Sequence, residues 1–297
     1  MLKVNGVHAG YGDGNVLHNL SFTVPDKEIY VLLGPNGAGK TTAFRVVSGI
    51  LPPVQGRVFI DEIDVWEEPE KAKTSIGYLP EGERVYLDLS VYKNLKFFCK
   101  IYNIEEKRID QLLEEFGLEK YKSAKAGFLS RGLRKRLAII RALLHDPKVL
   151  VLDEPFSNLD ISTVLNLRDR IFELLEEGKT ILFSTHILSE LQNFESLKCK
   201  VGIIKDGRLI LEENVGELMN KVENVEVVFK VDKREVAKKI LERYGYDVKY
   251  DSRGITVRVL KSREVSTIIR ILLDNDIEVY ESKLRETPIE KIFTDIT

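Results

Sequence analysis

With 297 residues, 43% of them apolar, the chain can form one large domain with a small companion, or two of moderate size, each burying its own core. Its 45 Lys and Arg nearly balance 47 Asp and Glu, and the formal charge of −2 gives no global attraction to nucleic acid or anionic lipid. Two distant cysteines, Cys99 and Cys199, exclude a disulfide framework and a CxxC zinc site, and no apolar run reaches the ~18–20 residues that cross a membrane.

The chain opens on Met1-Leu2-Lys3-Val4-Asn5-Gly6, which holds no long apolar segment, so no secretion leader is expected and a reducing cytosol fits the cysteine usage. Val4 to Val7, Leu20 to Val24 and Ile29 to Leu33 read as short strands, with a loop at Tyr11-Gly12-Asp13-Gly14. The third strand runs into Gly34-Pro35-Asn36-Gly37-Ala38-Gly39-Lys40-Thr41, and a helix is expected from Thr41 to Ser48. Gly49, Pro52-Pro53 and Gly56 lead to a strand at Arg57-Val58-Phe59-Ile60. From about Leu89 to Leu144 the pattern turns helical and charged. There Leu133, Leu137, Ile140 and Leu144 recur at helical spacing and define a buried face. The basic run Arg131 to Arg136 reads as the solvated side of that helix.

Strand and helix then alternate through Val149–Leu152, Val164–Leu175 and Thr180–Phe183, the rhythm of a parallel sheet with helices on its faces. Asp206-Gly207, between Val201–Ile204 and Arg208–Leu211, signals a hairpin. A second rhythm follows: strand Val225–Val231, helix Glu235–Tyr244, strands Tyr246–Tyr250 and Ile255–Leu260 around Ser252-Arg253-Gly254, helix Glu264–Leu273 and strand Ile277–Glu281. That is a β-α-β-β-α-β order. The expected division is an α/β P-loop NTPase core over residues 1–221, with a mixed or parallel sheet and a helical part at about 89–145, and a small α+β ferredoxin-like domain over 222–297.

The segment Gly34 to Thr41 satisfies G-x-x-x-x-G-K-[ST] at every fixed position, in the strand–loop–helix context that the pattern requires. Its glycines let backbone N–H groups converge on phosphate oxygens, and the helix behind adds the positive end of its dipole. Gly34, Asn36, Gly37, Ala38, Gly39, Lys40, Thr41 and Thr42 are therefore the expected nucleotide-binding set. Lys40 is expected to reach the β- and γ-phosphates of ATP, and the Thr41 hydroxyl to ligate Mg2+. Val149-Leu150-Val151-Leu152 carries Asp153 and Glu154 to the end of a buried strand, where ligands of open α/β sheets gather. Asp153 is expected to hold Mg2+ through its water shell, and Glu154 to accept a proton from the attacking water.

Leu129-Ser130-Arg131-Gly132-Leu133 precedes this pair, Asn158-Leu159-Asp160 follows it, and His186 ends the next strand. With Tyr11 ahead of the phosphate loop, the ordered set resembles the ATP-binding subunit of ABC transporters over roughly residues 1 to 220. The resemblance implies roles position by position. Tyr11 stacks on adenine. Ser130 and Gly132 form the signature loop that contacts the γ-phosphate held by the opposite protomer. Asp160 links the two sites across the dimer, and His186 senses the γ-phosphate and supports the transition state. Glu81, in Ile76-Gly77-Tyr78-Leu79-Pro80-Glu81, stands where the family usually has a glutamine, as a third residue facing the metal. Arg131 and Leu133 replace a glycine and a glutamine of the usual signature. Gly132 keeps one permissive backbone position, and Arg131 is expected to point to solvent.

The resemblance further implies separate transmembrane permease subunits, a homodimer or heterodimer of ATPase chains, and a cytoplasmic position on the inner face of the membrane. Gly82 to Tyr92, with Arg84, Tyr86 and Tyr92, is the expected permease contact. The extension over 222–297, with its ending Thr287-Pro288-Ile289-Glu290-Lys291-Ile292-Phe293, is similar to that of export-type subunits. The alternative is a soluble member of the superfamily that acts on ribosomes or nucleic acid. Only 90 positions separate Lys40 from Ser130, which leaves no room for the coiled-coil insertion of chromosome-acting members. His8, His18 and His145 have no partner pattern and read as structural or surface residues.

Overall fold

The computed structural model describes residues 1–12, 14–187, 190–191, 194, 198–221, 225–251, 254–259 and 264–284. In chain order the elements are β1 (Leu2–Tyr11), β2 (Gly14–Val24), β3 (Ile29–Leu33), α1 (Lys40–Val47), β4 (Gln55–Ile60), β5 (Ile63–Asp64), α2 (Pro69–Ser75) and β6 (Ile76–Leu79). Then come α3 (Val91–Tyr102), α4 (Lys107–Glu115), α5 (Arg131–Leu143), β7 (Val149–Leu152), α6 (Ile161–Glu176), β8 (Thr180–Thr185), β9 (Cys199–Lys205) and β10 (Arg208–Asn214). The remainder is α7 (Val215–Lys221), β11 (Val225–Val231), α8 (Arg234–Arg243), β12 (Asp247–Asp251), β13 (Gly254–Val259), α9 (Glu264–Leu273) and β14 (Val279–Leu284). The ending Thr287 to Phe293 lies outside the described residues. The chain divides into Met1–Ile187 with Leu197–Glu213, and Leu188–Ser196 with Asn214–Thr297.

Two sheets build the first unit. In the antiparallel one, ordered β2-β1-β4-β5, β1 buries Leu2 and Val4 and then Val7 and Ala9. The inward positions thus change phase midway. A register shift between Val4 and Val7, with Gly6 at φ 60°, supplies the extra residue that does this. The bulge is why alternation marked only Val4 to Val7, where the strand runs for ten residues.

The second sheet runs β10-β9-β3-β8-β7-β6, with β3, β6, β7, β8 and β9 parallel where they pair. Every residue of β3, β7 and β8 is buried, as expected for central strands covered on both faces. Phe44, Val46 and Val47 of α1 share one core with Leu2, Val4 and Leu20 of the first sheet and Leu32, Val151 and Leu182 of the second. Each such side chain contributes roughly 1.5–3 kcal/mol by leaving water, so α1 is fixed between the sheets. Because β3, β8 and β7 are neighbours pointing the same way, the segments leaving their C-terminal ends emerge side by side.

Side-chain caps start three helices. Ser90, Ser130 and Asp160 each accept the N–H of the residue three ahead, opening α3, α5 and α6. In the second unit β11-α8-β12-β13-α9-β14 forms an antiparallel sheet ordered β12-β13-β11-β14. Phe229, Ile255 and Val257 of that sheet bury against Leu241 of α8 and Leu272 of α9.

His145, between α5 and β7, hydrogen-bonds the Ile76 carbonyl through Nε2 at 2.8 Å and stacks on Tyr102 with ring centres 4.2 Å apart. Its Nδ1 is buried without a partner. Burial pushes the imidazole pKa down, against the smaller upward pull of the Ile76 carbonyl and Asp146. A group whose folded pKa is depressed binds its proton more readily when unfolded, so its contribution is lost as pH falls below the unfolded value of about 6.5. Thermal melts should therefore fall between pH 7.5 and 5.5, and His145→Gln should flatten that fall. Parallel curves for the two proteins would contradict this.

Candidate functional site

At the end of β3 the backbone turns tightly, and Gly37 (φ 83°) and Gly39 (φ 106°) take left-handed conformations that a Cβ would strain. Gly39 is the N-cap of α1 and offers no side chain, so the first N–H groups of the helix are left for an anion. Lys40 is 5% exposed. Its ammonium donates to the carbonyls of Gly34 (2.7 Å) and Pro35 (3.2 Å) and lies 3.4 Å from Glu154 Oε1. The cleft there, of about 360 Å3, is lined by Asn36, Gly37, Gly39, Lys40, Thr41, Thr42, Glu81 and Glu154, together with Val16. Gly34 and Ala38 are buried and do not line it.

β7 delivers Asp153 with no exposed surface. One carboxylate oxygen accepts from Ser184 Oγ at 2.6 Å, and the other, Oδ2, is buried without a hydrogen-bond partner. Burial pushes the Asp153 pKa up. The Ser184 and Thr41 hydroxyls pull it down, and the Glu81 and Glu154 carboxylates raise it again. An orphaned carboxylate oxygen, a threonine hydroxyl and a nearby second acid form the hard-oxygen set that suits Mg2+. Among the described residues no group of three or more His, Cys, Asp or Glu could hold a metal alone. An ion here would complete its shell from phosphate and water, the habit of Mg2+.

Glu154 sits at φ 50°, a conformation that costs a residue with a Cβ about 1–3 kcal/mol and lasts only where neighbours impose it. The neighbours are on both sides of its backbone. Its N–H donates to Ser184 Oγ (2.9 Å), and its carbonyl accepts from Ser157 Oγ (2.9 Å) and Lys135 Nζ (3.2 Å). The carboxylate then meets His186 Nδ1 at 3.0 Å from each oxygen, in addition to the Lys40 contact at Oε1. An ionised carboxylate can only accept, so Nδ1 carries the proton in this contact.

The other expected residues lie around this centre. Tyr11, 48% exposed, does not line the cleft. Its hydroxyl accepts from Arg45 Nη1 of α1 at 2.7 Å. Ser130 caps α5 through the Leu133 N–H at 3.3 Å, and Asp160 caps α6 through Thr163 N–H (3.0 Å) and Oγ1 (2.7 Å). The Ser162 and Thr163 hydroxyls hold the Asp160 carboxyl well below the usual range. Gly132 sits inside α5, and a Cβ there would lie 2.9 Å from Thr163 Cγ2. Its lack of a side chain makes room for Thr163 and is not used for backbone freedom, since its φ is not positive, which corrects the sequence reading. Arg131, expected in solvent, is exposed, and its Nε also donates to Glu83 Oε1 at 3.0 Å.

Ser184, Lys135 and Glu83 are among the residues around the site that escaped sequence reading. Ser184 bonds both Asp153 and Glu154, and a serine in a wholly buried strand was the available signal. Lys135 is 1% exposed, against the expectation that the basic run is solvated. Its spacing to the buried Ala138, Ile139 and Ala142 was the signal. Glu83, which pairs with Arg131, had none.

Residues 17–157 match the family model described as ABC transporter. The ABC transporter ATP-binding protein YhcH of Bacillus subtilis (strain 168) is 34% identical over 300 residues, covering 100% of this chain and 96% of that protein. The bacitracin transport ATP-binding protein BcrA of Enterococcus faecalis is 30% identical over 299 residues, again covering 100% and 96%. Among solved structures, the ATP-binding cassette MJ0796 in a dimeric post-hydrolysis state with ADP and Pi superposes with a TM-score of 0.65 at 26% identity, covering 72% of this chain and 99% of that one. The chain belongs to the ABC transporter family as one of its ATP-binding proteins. It is an ATPase subunit of a membrane transporter, and no helix among its described residues is long and apolar enough to cross a membrane.

Ser184→Ala leaves the Glu154 N–H and an Asp153 oxygen without their partner. The expected cost is about 1–3 kcal/mol of stability, read as a lower urea midpoint. An unchanged midpoint would show that these buried groups find other partners.

Proposed function

We propose that this chain powers an exporter as one half of a dimer that closes on ATP and opens after hydrolysis. The observation that carries the reading is the convergence of Lys40 and His186 on the Glu154 carboxylate, at 3.4 and 3.0 Å, on the lip of the phosphate-loop cleft. When phosphate takes the Lys40 ammonium, Glu154 is freed to accept the proton of the attacking water. His186 orients that carboxylate through Nδ1–H, and in its imidazolium form donates Nε2–H to a γ-phosphate oxygen. Thr41, Glu81 and Asp153 would hold Mg2+, which neutralises phosphate charge when bound. Tyr11, steadied by Arg45, takes the adenine.

Two such chains, identical or not, face head to tail, and Ser130 and Gly132 of each contact the γ-phosphate held by the other. Asp160 links the two sites. ATP thereby favours the closed pair, and its hydrolysis removes that preference. The permease contact is Gly82 to Tyr92, which places the subunit on the inner face of the membrane. Asn94 supports this segment by accepting the Tyr86 N–H (2.8 Å) and donating to the Tyr86 carbonyl (3.0 Å). Tyr86 and Leu87 are 49% and 53% exposed, and Phe128, next to the Gly127 that bonds the Leu87 carbonyl, is 85% exposed. Apolar surface of this kind suits a partner. Tyr92 donates its hydroxyl to Glu106, so Arg84 and Tyr86 carry more of the contact. Similarity to a protein named for Nod factor export, 34% identical over 77% of this chain, supports the outward direction. Residues 222–297 stabilise or regulate the dimer.

Lys40→Ala should abolish nucleotide binding. Glu154→Gln should bind ATP, run as a dimer by light scattering, and hydrolyse about 100-fold more slowly or worse. A monomeric Glu154→Gln with ATP would count against the dimer. Pulled from detergent-solubilised membranes with ATP, the same variant should bring a multi-span protein in stoichiometric amount. Ribosomal proteins or nucleic acid in its place would overturn the transporter role.

A further inference from the structure

A lysine with 1% exposure needs a strong reason to be charged where it is. Lys135 lies on α5, five residues after the Ser130 cap, on the stripe that also buries Ala138, Ile139 and Ala142. Its ammonium donates to the carbonyl of Glu154 at 3.2 Å. That carbonyl belongs to the one acid of the cleft whose backbone is left-handed, and it also accepts the Ser157 hydroxyl at 2.9 Å and, more weakly, the Ser157 N–H at 3.3 Å. Burial pulls the Lys135 pKa down. Glu83, Asp153 and Glu154 oppose this with their negative charge, and Arg131 acts in the same sense as burial.

We infer that Lys135 is a positioning residue for hydrolysis: its buried ammonium grips the Glu154 carbonyl, fixes the strained backbone there, and so aims the Glu154 carboxylate between Lys40 and His186. The inference rests on the proposed reading of Glu154 as the base. The bonds to its carbonyl help to hold Glu154 at its strained φ of 50°, and a backbone released from them would relax and carry the carboxylate off its 3.0 Å contact with His186. Lys135 meets neither nucleotide nor water in this role. It acts through the peptide. It also joins two parts of the mechanism, because Ser130 caps the 13-residue helix that carries Lys135. A movement of the signature loop on meeting the other chain's nucleotide carries Lys135 with it and reaches the protomer's own base.

The test compares Lys135→Met, which matches the stem and removes every donor, with Lys135→Gln, whose amide N–H can meet the same carbonyl. Lys135→Met should lower kcat at least tenfold while KM for MgATP stays within twofold, and Lys135→Gln should recover at least half of that loss on a logarithmic scale. A native kcat in Lys135→Met, equal losses in both variants, or a matching change in KM overturns the role. If Lys135→Met does not fold, Lys135→Gln is combined with Ser157→Ala, since both side chains donate to one oxygen. The two kcat losses should then depart from additivity by more than threefold, and additive losses overturn the inference. A Glu154→Gln enzyme that still hydrolyses ATP overturns the reading of Glu154 itself. An inactive Glu154→Gln beside an unimpaired Lys135→Met overturns Lys135 alone.

Discussion

Glu81 and Glu154 line one small cleft, the wholly buried Asp153 feels the charge of both, and Glu154 is buried too. Burying ionised groups is costly unless each is paired or hydrogen-bonded. The chain itself supplies Lys40 and His186 at the Glu154 carboxylate, Lys135 and Ser157 at its carbonyl, and Ser184 between the two acids. The balance stays incomplete on purpose. One Asp153 oxygen has no protein partner, while the N-terminus of α1 presents donors with no side-chain acceptor. An anion carrying its own divalent cation completes both halves at once, which is the chemistry of a magnesium nucleotide.

That arrangement depends on the sheet. Strands β3, β8 and β7 are adjacent and parallel, so the phosphate loop, His186 and the Asp153-Glu154 pair leave the same edge without any long loop to place them. The Gly34 N–H donates to the Thr185 carbonyl at 3.3 Å, which ties the start of the loop to the strand that carries His186. The Glu154 conformation is tolerated because Ser184 and Lys135 hold its two sides, one from a strand and one from a helix. Strain at this residue is a consequence of convergence: a relaxed backbone would carry the carboxylate elsewhere.

What the sequence made legible follows from how local the constraint is. The phosphate loop was readable because a few glycines and one lysine set its geometry within eight residues. The acid pair was readable because an all-apolar run of four must end somewhere polar. The full length of β1 was not, since the Gly6 bulge flips its inward phase and breaks the alternation that marks a strand. Lys135 was misread because charge outweighed position, although its spacing to Ala138, Ile139 and Ala142 is that of a core residue. The Arg131–Glu83 pair spans 48 residues and depends on the fold bringing both together, so no local pattern announced it.

This last pair bears on how the signature of this chain works. The family's usual pair of glycines is broken here by a cation that, left free, would add a full charge beside an incoming phosphate. Glu83 neutralises it within the protomer, and Arg134 stands 4.0 Å from the same carboxylate. On the proposed reading, what the start of α5 would offer a partner's nucleotide is the Ser130 hydroxyl, backbone N–H groups and the helix dipole, the same means present at the start of α1. Gly132 holds that helix start against Thr163, which holds the Asp160 carboxylate. The residues proposed to act across the dimer are thus one packed unit on two helix N-termini.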